Sequence, residues 1–282
     1  AVCRSPYDAI ALAGAAQAVE AETVEKAPPG AVVAGVEPVR IIGLGNAQLS
    51  RGDYQVQPAD YTYTRALEML FYLLTQPNRS LHAIGAAIWP EATPQQMRGR
   101  FHNTLHNLRK ALGGKTWVVC TRDEYEFNHS LPYWCDVETL MAEAAAGQRL
   151  AAEAPAEAAV HLERAVDLYR GPFLNDVDSP WTTQMRQALD LTYLRALLTL
   201  ARLDFDAGRY TEAAMMFRRA AEHDDYEEAA HRGIMRCHAR QGERGQAERH
   251  YQALAAARKR EGIGLEAETT ALYQRLRAGE EI

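Results

Sequence analysis

The residues best suited to chemistry lie between Pro94 and Arg122, a stretch that contains six cationic side chains and not one Asp or Glu. The chain as a whole is acidic, with a net charge of −6 and an isoelectric point near 5.9. Neutralisation of phosphates by Lys and Arg supplies most of the non-specific affinity of proteins for nucleic acids. The stretch therefore predicts a polyanion-binding surface, with a solvated helix face as the alternative interpretation.

Polar side chains gather on one face of a helix predicted within this stretch. At roughly 100° per residue, Gly99, Asn103, His106 and Lys110 lie opposite the apolar side chains. Amides, imidazoles and cations donate hydrogen bonds to base edges and phosphates in the major groove of DNA. We predict DNA contacts from these side chains: Arg98, Arg100, His102, Asn103, Thr104, His106, Asn107, Arg109, Lys110, Lys115 and Arg122. For Gly99 two interpretations stay open: close approach of a phosphate, or simple tolerance of a glycine.

Competing chemistries have weaker support in the sequence. His102 and His106 have a spacing that metal sites use, but Asn103 stands where a zinc-hydrolase motif requires Glu. Gly43–Gly45 follows a predicted strand, yet Gln48 replaces the third glycine of a dinucleotide-binding motif. The sequence also lacks a P-loop and a nucleophile-elbow motif. We therefore predict neither an enzyme, nor a cofactor, nor a metal site.

The elements that must position the polar helix are predicted as short strands and helices. Strands are expected at Val39–Ile42, Ala47–Leu49 and Tyr54–Val56. Three helices follow, and the third opens with a capping box at Thr93–Gln96. A hairpin around Arg122–Glu124 closes the segment. This order of elements predicts a winged helix-turn-helix over residues 39–128.

The second half of the chain predicts a different architecture. From residue 137 onward, amphipathic helices alternate with glycine and proline breaks, and the sequence repeats with a period of 34. Gly208 aligns with Gly242 and Ala213 with Ala247, which is the spacing of tetratricopeptide helix pairs. The predicted fold class is mostly α: a small β-sheet and winged helix-turn-helix, followed by an all-α tetratricopeptide-like domain at residues 129–282.

Length and composition fit about two domains in a globular protein. The chain has 282 residues, of which 47% are hydrophobic and 24% charged. We find no apolar run of membrane-spanning length and predict no signal peptide. The four cysteines form no C-x-x-C pair, so we predict a cytoplasmic protein. Residues 1–38 are predicted as a short helix and a linker, which allows them to be the tail of an upstream domain.

Five motifs give the sequence its resemblance to a known family. They are Ala87–Pro90, Asn107–Gly113, Leu168–Leu174, Gly208–Ala213 and Glu228–Arg236. In this order they resemble the SARP-type bacterial transcriptional activators, which join an OmpR-like winged helix to a tetratricopeptide-like activator domain. The resemblance extends from about Val39 to Leu276. It implies a sequence-specific activator that binds direct repeats of double-stranded DNA as a homodimer and recruits RNA polymerase, partly through the loop from Pro90 to Thr93.

The sequence departs from the family in two places. The wing carries Asp123, Glu124 and Glu126, carboxylates that a phosphate would repel, which leaves Arg122 as the wing's expected phosphate ligand. Residues 1–38 lie outside the resemblance, and an upstream sensor domain is a further hypothesis there. Two other functions stay open: an effector-gated signalling regulator, and an adaptor whose helical repeats bind a partner protein or a small ligand.

Overall fold

The computed structural model describes residues 36–57 and 63–282 of the chain. These residues form two compact units, which we describe separately. The first comprises the described part of Ala1–Val137 together with Arg170–Ala188, and the second comprises Glu138–Tyr169 together with Leu189–Ile282. The first unit thus includes Arg170–Ala188, a segment beyond the sequence-based division at residue 129. The helix predicted at residues 5–22 and its linker up to residue 35 lie outside the described residues.

A four-stranded sheet forms the start of the first unit, with the strand order β3-β2-β1-β7. Its strands are β1 (Val39–Ile42), β2 (Gln48–Arg51), β3 (Tyr54–Gln55) and β7 (Tyr133–Cys135). The three N-terminal strands pair antiparallel, which confirms the predicted sheet. β7 was not predicted; it lies parallel to β1, with Cys135 opposite Ile41. Val39 and Ile41 are buried whereas Arg40 is exposed, so β1 presents one face to the core.

Three helices follow, and local capping defines where the second and third begin. They are α1 (Tyr63–Thr75), α2 (Leu81–Ile88) and α3 (Pro94–Leu112). The Ser80 hydroxyl accepts a hydrogen bond from the Ala83 amide at the start of α2. At the start of α3, the Gln96 amide donates to Thr93 Oγ1 (3.4 Å) and the Thr93 amide donates to Gln96 Oε1 (3.0 Å). The predicted capping box is therefore confirmed.

A three-stranded sheet with the order β4-β6-β5 completes the helix-turn-helix as its wing. Its strands are β4 (Arg79–Ser80), β5 (Val118–Thr121) and β6 (Glu124–Phe127). Arg122 and Asp123 connect β5 to β6, and both have positive φ, at 54° and 66°. Two consecutive residues of this conformation form the type I′ turn that matches the twist of a hairpin. The predicted winged helix-turn-helix is confirmed.

A buried carboxylate of the first unit lies against the end of β1. Asp136 is 3% exposed and opens α4 (Asp136–Leu150). Its carboxylate accepts hydrogen bonds from the backbone amides of Gly43 (2.8 Å) and Leu44 (2.9 Å). Burial raises the pKa of Asp136, and the hydrogen bonds from the backbone amides act in the opposite direction. Asp136 thus satisfies two buried N–H groups at the end of β1.

The Arg170–Ala188 segment contributes an aromatic side chain to the core of the first unit. Phe173 is fully buried, and its ring meets the ring of Phe71 edge-on, with centroids 5.1 Å apart. Arg186 holds the backbone of this segment, because its guanidinium donates to the carbonyls of Phe173 (2.7 Å) and Leu174 (2.8 Å). The core of the winged-helix unit therefore depends on residues that follow α5 (Pro155–Leu168) in sequence.

Helix pairs build the second unit. The remaining helices are α6 (Pro180–Asp206), α7 (Tyr210–His223), α8 (Glu228–Arg240), α9 (Arg244–Glu261) and α10 (Ala267–Arg277). Gly208 and Gly242 occupy equivalent left-handed turns, with φ of 78° and 79°. Ala213 and Ala247, one repeat apart, are both fully buried where neighbouring helices pack closely. The predicted tetratricopeptide-like repeat is confirmed.

Two histidines of this unit share a hydrogen bond between α8 and α9. The nitrogens His231 Nδ1 and His250 Nε2 lie 3.0 Å apart. Burial lowers the pKa of His250 to about 4, and the positive charges of His231, His238 and Arg218 act in the same direction. Burial also lowers the pKa of His231. The folded state therefore favours neutral imidazoles at this position.

This histidine pair predicts a loss of stability in acid. A His pKa that is lower in the folded than in the unfolded state contributes stability above the unfolded value of 6.5, and this contribution is lost as pH falls towards 4. We expect the wild type to lose about 2 kcal/mol more than His250→Gln between neutral pH and pH 4.5. Urea unfolding across this range, followed by circular dichroism, measures the difference. Parallel pH profiles for the two proteins would contradict the prediction.

Candidate nucleic-acid interface

Helix α3 has one buried and one exposed face. Its buried side chains are Met97, Phe101, Thr104, Leu105, Leu108, Ala111 and Leu112. Six of the predicted DNA-contacting side chains are exposed along the helix: Arg98, Arg100, His102, Asn103, His106 and Lys110. The exposed face carries no carboxylate of its own, because α3 contains no Asp or Glu. The structure therefore brings cations, imidazoles and an amide together on one solvent-facing surface.

The other predicted contact residues differ in their surroundings. Thr104 is 7% exposed and lies within the core. Asn107 is half-buried. Arg109 is also half-buried, and its guanidinium donates to the Val118 carbonyl at 2.6 Å. Lys115, in a short 3₁₀ turn after α3, and Arg122, at the tip of the wing, are both exposed. Two of the predicted side chains are therefore engaged within the domain rather than on its surface.

Close packing holds α3 against its neighbours. A Cβ added to Gly85 on α2 would lie 2.2 Å from Met97 Sδ, so a larger residue at this position would force the Met97 side chain of α3 to move. On the side of the wing, the rings of Phe101 and Tyr125 meet edge-on with centroids 4.8 Å apart. The hydrogen bond from Arg109 links the end of α3 to β5. These contacts fix the orientation of the exposed face.

Carboxylates border the exposed face on two sides. Glu91, in the loop before α3, forms an ion pair with Arg100 at 2.7 Å. Hydrogen bonds from its own backbone amide and from Arg100 lower the pKa of Glu91. Sequence reasoning missed this pair, because Glu91 lies outside the helix and a helical period does not reveal it. On the wing, Asp123 and Glu124 are exposed beside Arg122.

Gly99 lies on the exposed face with open space around it. A Cβ at this position would meet nothing within 4 Å. Because glycine costs about 1 kcal/mol relative to alanine inside a helix, Gly99→Ala is expected to raise the free energy of unfolding by about that amount. Urea denaturation measures the change, and an unchanged or lower stability would contradict the expectation. Titration of the same variant with DNA separates the two interpretations of Gly99, since only close approach of a phosphate predicts weaker binding.

The described residues contain no helix that is both long and apolar enough to cross a bilayer. Within the same part of the chain, no three His, Cys, Asp or Glu side chains are grouped closely enough to hold a metal ion. His102 and His106 are both exposed on α3.

Comparison with known protein families assigns the second half of the chain. Residues 135–277 match the family model of the bacterial transcriptional activator domain. The chain belongs to the bacterial transcriptional activator domain family. This match, together with the winged helix-turn-helix, confirms the resemblance to SARP-type activators. The activator domain model begins at Cys135, next to the buried Asp136.

Relatives of this bacterial transcriptional activator domain protein occur in mycobacteria. The transcriptional regulatory protein EmbR of Mycobacterium tuberculosis and that of Mycobacterium bovis are each 34% identical to it over 116 residues. The aligned stretch covers 39% of this chain and 30% of each relative. The match therefore spans less than a third of the length of these relatives.

A solved structure shares the fold of the activator domain protein. Mycobacterium tuberculosis EmbR, determined in complex with a low-affinity phosphopeptide, superimposes with a TM-score of 0.73 at 21% sequence identity. The similarity covers 87% of this chain and 66% of the EmbR chain. At this level of identity the likeness shows that the two chains have the same fold.

Proposed function

We propose that this protein is a sequence-specific DNA-binding transcriptional activator whose helix α3 lies in the major groove. The observation that carries the proposal is the exposed face of α3, which presents cations, imidazoles and an amide without a carboxylate of its own. Such groups donate to phosphates and base edges, and a recognition helix uses them in this way. Membership of an activator family supports the same function.

The geometry suggests a division of roles along this face. Asn103 and His106 lie in the middle of the helix, where side chains reach base edges. Arg98 and Lys110 lie towards its two ends and are suited to phosphates. Arg100 would exchange Glu91 for a phosphate. We leave Thr104 and Arg109 out of the proposed contact set, because both are engaged within the domain.

An electrophoretic mobility-shift titration tests this function. Duplexes selected from a random pool by the wild-type chain serve as the probe. We expect Asn103→Ala and His106→Ala each to weaken binding about tenfold, since a base contact contributes about 1–3 kcal/mol. We expect Lys110→Ala to weaken binding to all sequences and to reduce the salt dependence by about one phosphate contact. Lys259→Ala, an exposed lysine on α9, is the matched control.

Three results would contradict the proposal. The first is that the wild type selects no duplex from the pool. The second is that all three α3 variants retain wild-type affinity. The third is that Lys259→Ala weakens binding as much as Lys110→Ala. Circular dichroism of each variant confirms that the helices remain folded. Because the three α3 side chains are exposed, we expect their removal to leave the fold intact.

We further propose three macromolecular contacts beyond the single binding site. The first is dimerisation on direct repeats, and the second is recruitment of RNA polymerase. The third is regulation by a partner, for which an effector and an upstream sensor domain are the two alternatives. The loop from Pro90 to Thr93 supports polymerase contact, because it is largely exposed immediately before α3. EmbR, which has the same fold, binds a phosphopeptide and so supports regulation through a partner protein. Run-off transcription with only Pro90 and Ala92 replaced by serine tests polymerase contact, since activation should fall while DNA binding persists. Glu91 and the capping residue Thr93 are retained, because both position the exposed face of α3.

A further inference from the structure

Four arginines form a continuous surface in the second unit, which we name the arginine face. Arg232, Arg236 and Arg240 follow one another at intervals of four residues on α8 and so share one side of the helix. Arg275 extends the face from α10. No role in the proposed DNA contact uses these residues.

Glutamates of the same chain neutralise three of the four arginines. Arg232 pairs with Glu266 and Glu268, Arg240 with Glu281, and Arg275 with Glu280. These glutamates lie in and around α10, so the face points towards that helix. Each of these three arginines thus already binds one or two carboxylates of its own chain.

Arg232 is also fixed from a second direction. Its guanidinium donates to Thr269 Oγ1 at 3.0 Å, and its side chain is only 14% exposed. Thr269 itself is fully buried. Arg232 is therefore held in a fixed position beside Arg236, which lies one turn further along α8.

Arg236, at the centre of the face, has a different environment. It is exposed, and it makes no ion pair or hydrogen bond with any residue that the structure describes. Burial of part of the side chain lowers the pKa of Arg236, and the charges of Arg232 and Arg275 lower it further, with Glu268 opposing them. An added anion would relieve this repulsion, so the centre of the face is suited to one more carboxylate.

We propose that the arginine face binds an acidic peptide segment of a partner protein, with one of its carboxylates on Arg236. The four glutamates interspersed among the arginines would repel a continuous row of phosphates, which disfavours nucleic acid as the ligand. They leave room for a single carboxylate between Arg232 and Arg240.

Fluorescence anisotropy with the full chain tests the proposal. The probe is a short labelled alanine peptide with a single central glutamate, and the same peptide with glutamine in place of the glutamate is its control. We expect Arg236→Gln to weaken binding of the glutamate peptide about tenfold, because a charge-assisted hydrogen bond is lost. Arg202→Gln, which removes an exposed arginine on α6, is the matched control and should leave affinity unchanged.

A second variant tests the same contact in the opposite direction. Glu268 competes for the positive charge around Arg236 and is 78% exposed, so Glu268→Gln should preserve the fold. We expect it to increase affinity for the glutamate peptide about threefold. Arg236→Lys should recover part of the binding that Arg236→Gln loses. Neither variant should change affinity for DNA, because α3 is untouched.

Several outcomes would overturn the proposal. Equal losses in Arg236→Gln and Arg202→Gln would mean that only overall charge matters. Equal binding of the glutamine peptide would mean that carboxylates are not recognised. Absence of binding by the wild type would exclude the site for this class of peptide. Competition by unrelated duplex DNA, lost in Arg236→Gln, would make nucleic acid the ligand instead.

Discussion

Replacement of Asp136 with alanine is expected to lower the free energy of unfolding of the first unit by about 3 kcal/mol. The change removes a buried carboxylate and leaves the amides of Gly43 and Leu44 without their acceptor. Each unsatisfied buried N–H group costs about 1–3 kcal/mol. All four tryptophans of the chain lie in the first unit, so tryptophan fluorescence during urea unfolding reports this unit selectively.

Two control variants sharpen the Asp136 measurement. Asp176→Ala removes an exposed carboxylate of the same unit and should change stability by less than about 0.5 kcal/mol. Asp136→Asn keeps the shape but places an amide among N–H donors, so it should also be destabilising. A loss below about 1 kcal/mol for Asp136→Ala would show that the two amides find other partners.

Phe173→Ala should destabilise the first unit by about 4 kcal/mol, the second large effect that we expect. The ring is fully buried and touches Phe71, and a Cβ at Gly43 would lie only 3.1 Å from it. Removal of the ring leaves a cavity in a core that its backbone contacts hold in place, since Arg186 fixes the Phe173 carbonyl. Tryptophan fluorescence again follows the transition, because Trp181 lies beside Phe173.

A graded substitution provides the control for this prediction. Phe173→Leu retains most of the apolar volume and should cost less than about 1.5 kcal/mol. If alanine and leucine cost the same, the effect would not come from a cavity. If both were silent, the Phe173 ring would contribute nothing to the stability of the winged-helix unit.

Local sequence signals predicted much of the fold. The capping box at Thr93 and the glycine at position 113 mark the ends of α3, because both act through neighbouring backbone groups. The 34-residue repeat predicted equivalent turns at Gly208 and Gly242, because each repeat packs in the same way on its neighbours. For the candidate site, helical periodicity predicted that Asn103, His106 and Lys110 lie on the face of α3 opposite the apolar side chains, and all three are exposed.

Non-local contacts explain what the sequence did not predict. Arg109 turns away from the exposed face because the Val118 carbonyl, on a different element, accepts its hydrogen bond. Thr104 is buried beside Leu105 because its side chain is small. Its polar hydroxyl would suit the exposed face of the helix equally well, so the sequence did not predict its burial. Asp136 and Gly43 are 93 residues apart, and no periodic pattern connects them. The DNA contacts, the direct repeats and the domain division at residue 129 stay predictions.

Because the chain returns to the core of the winged-helix unit at Phe173, fragments and chimeras of this regulator must include that later segment. A fragment that ends at Val137 would lack Phe173, Trp181 and Arg186, and the ring of Phe71 would face water. A single crossover point therefore cannot separate the winged-helix unit from the second, helical unit. Chimeras that exchange the winged-helix unit between regulators of this architecture would need to transfer two separate stretches of sequence.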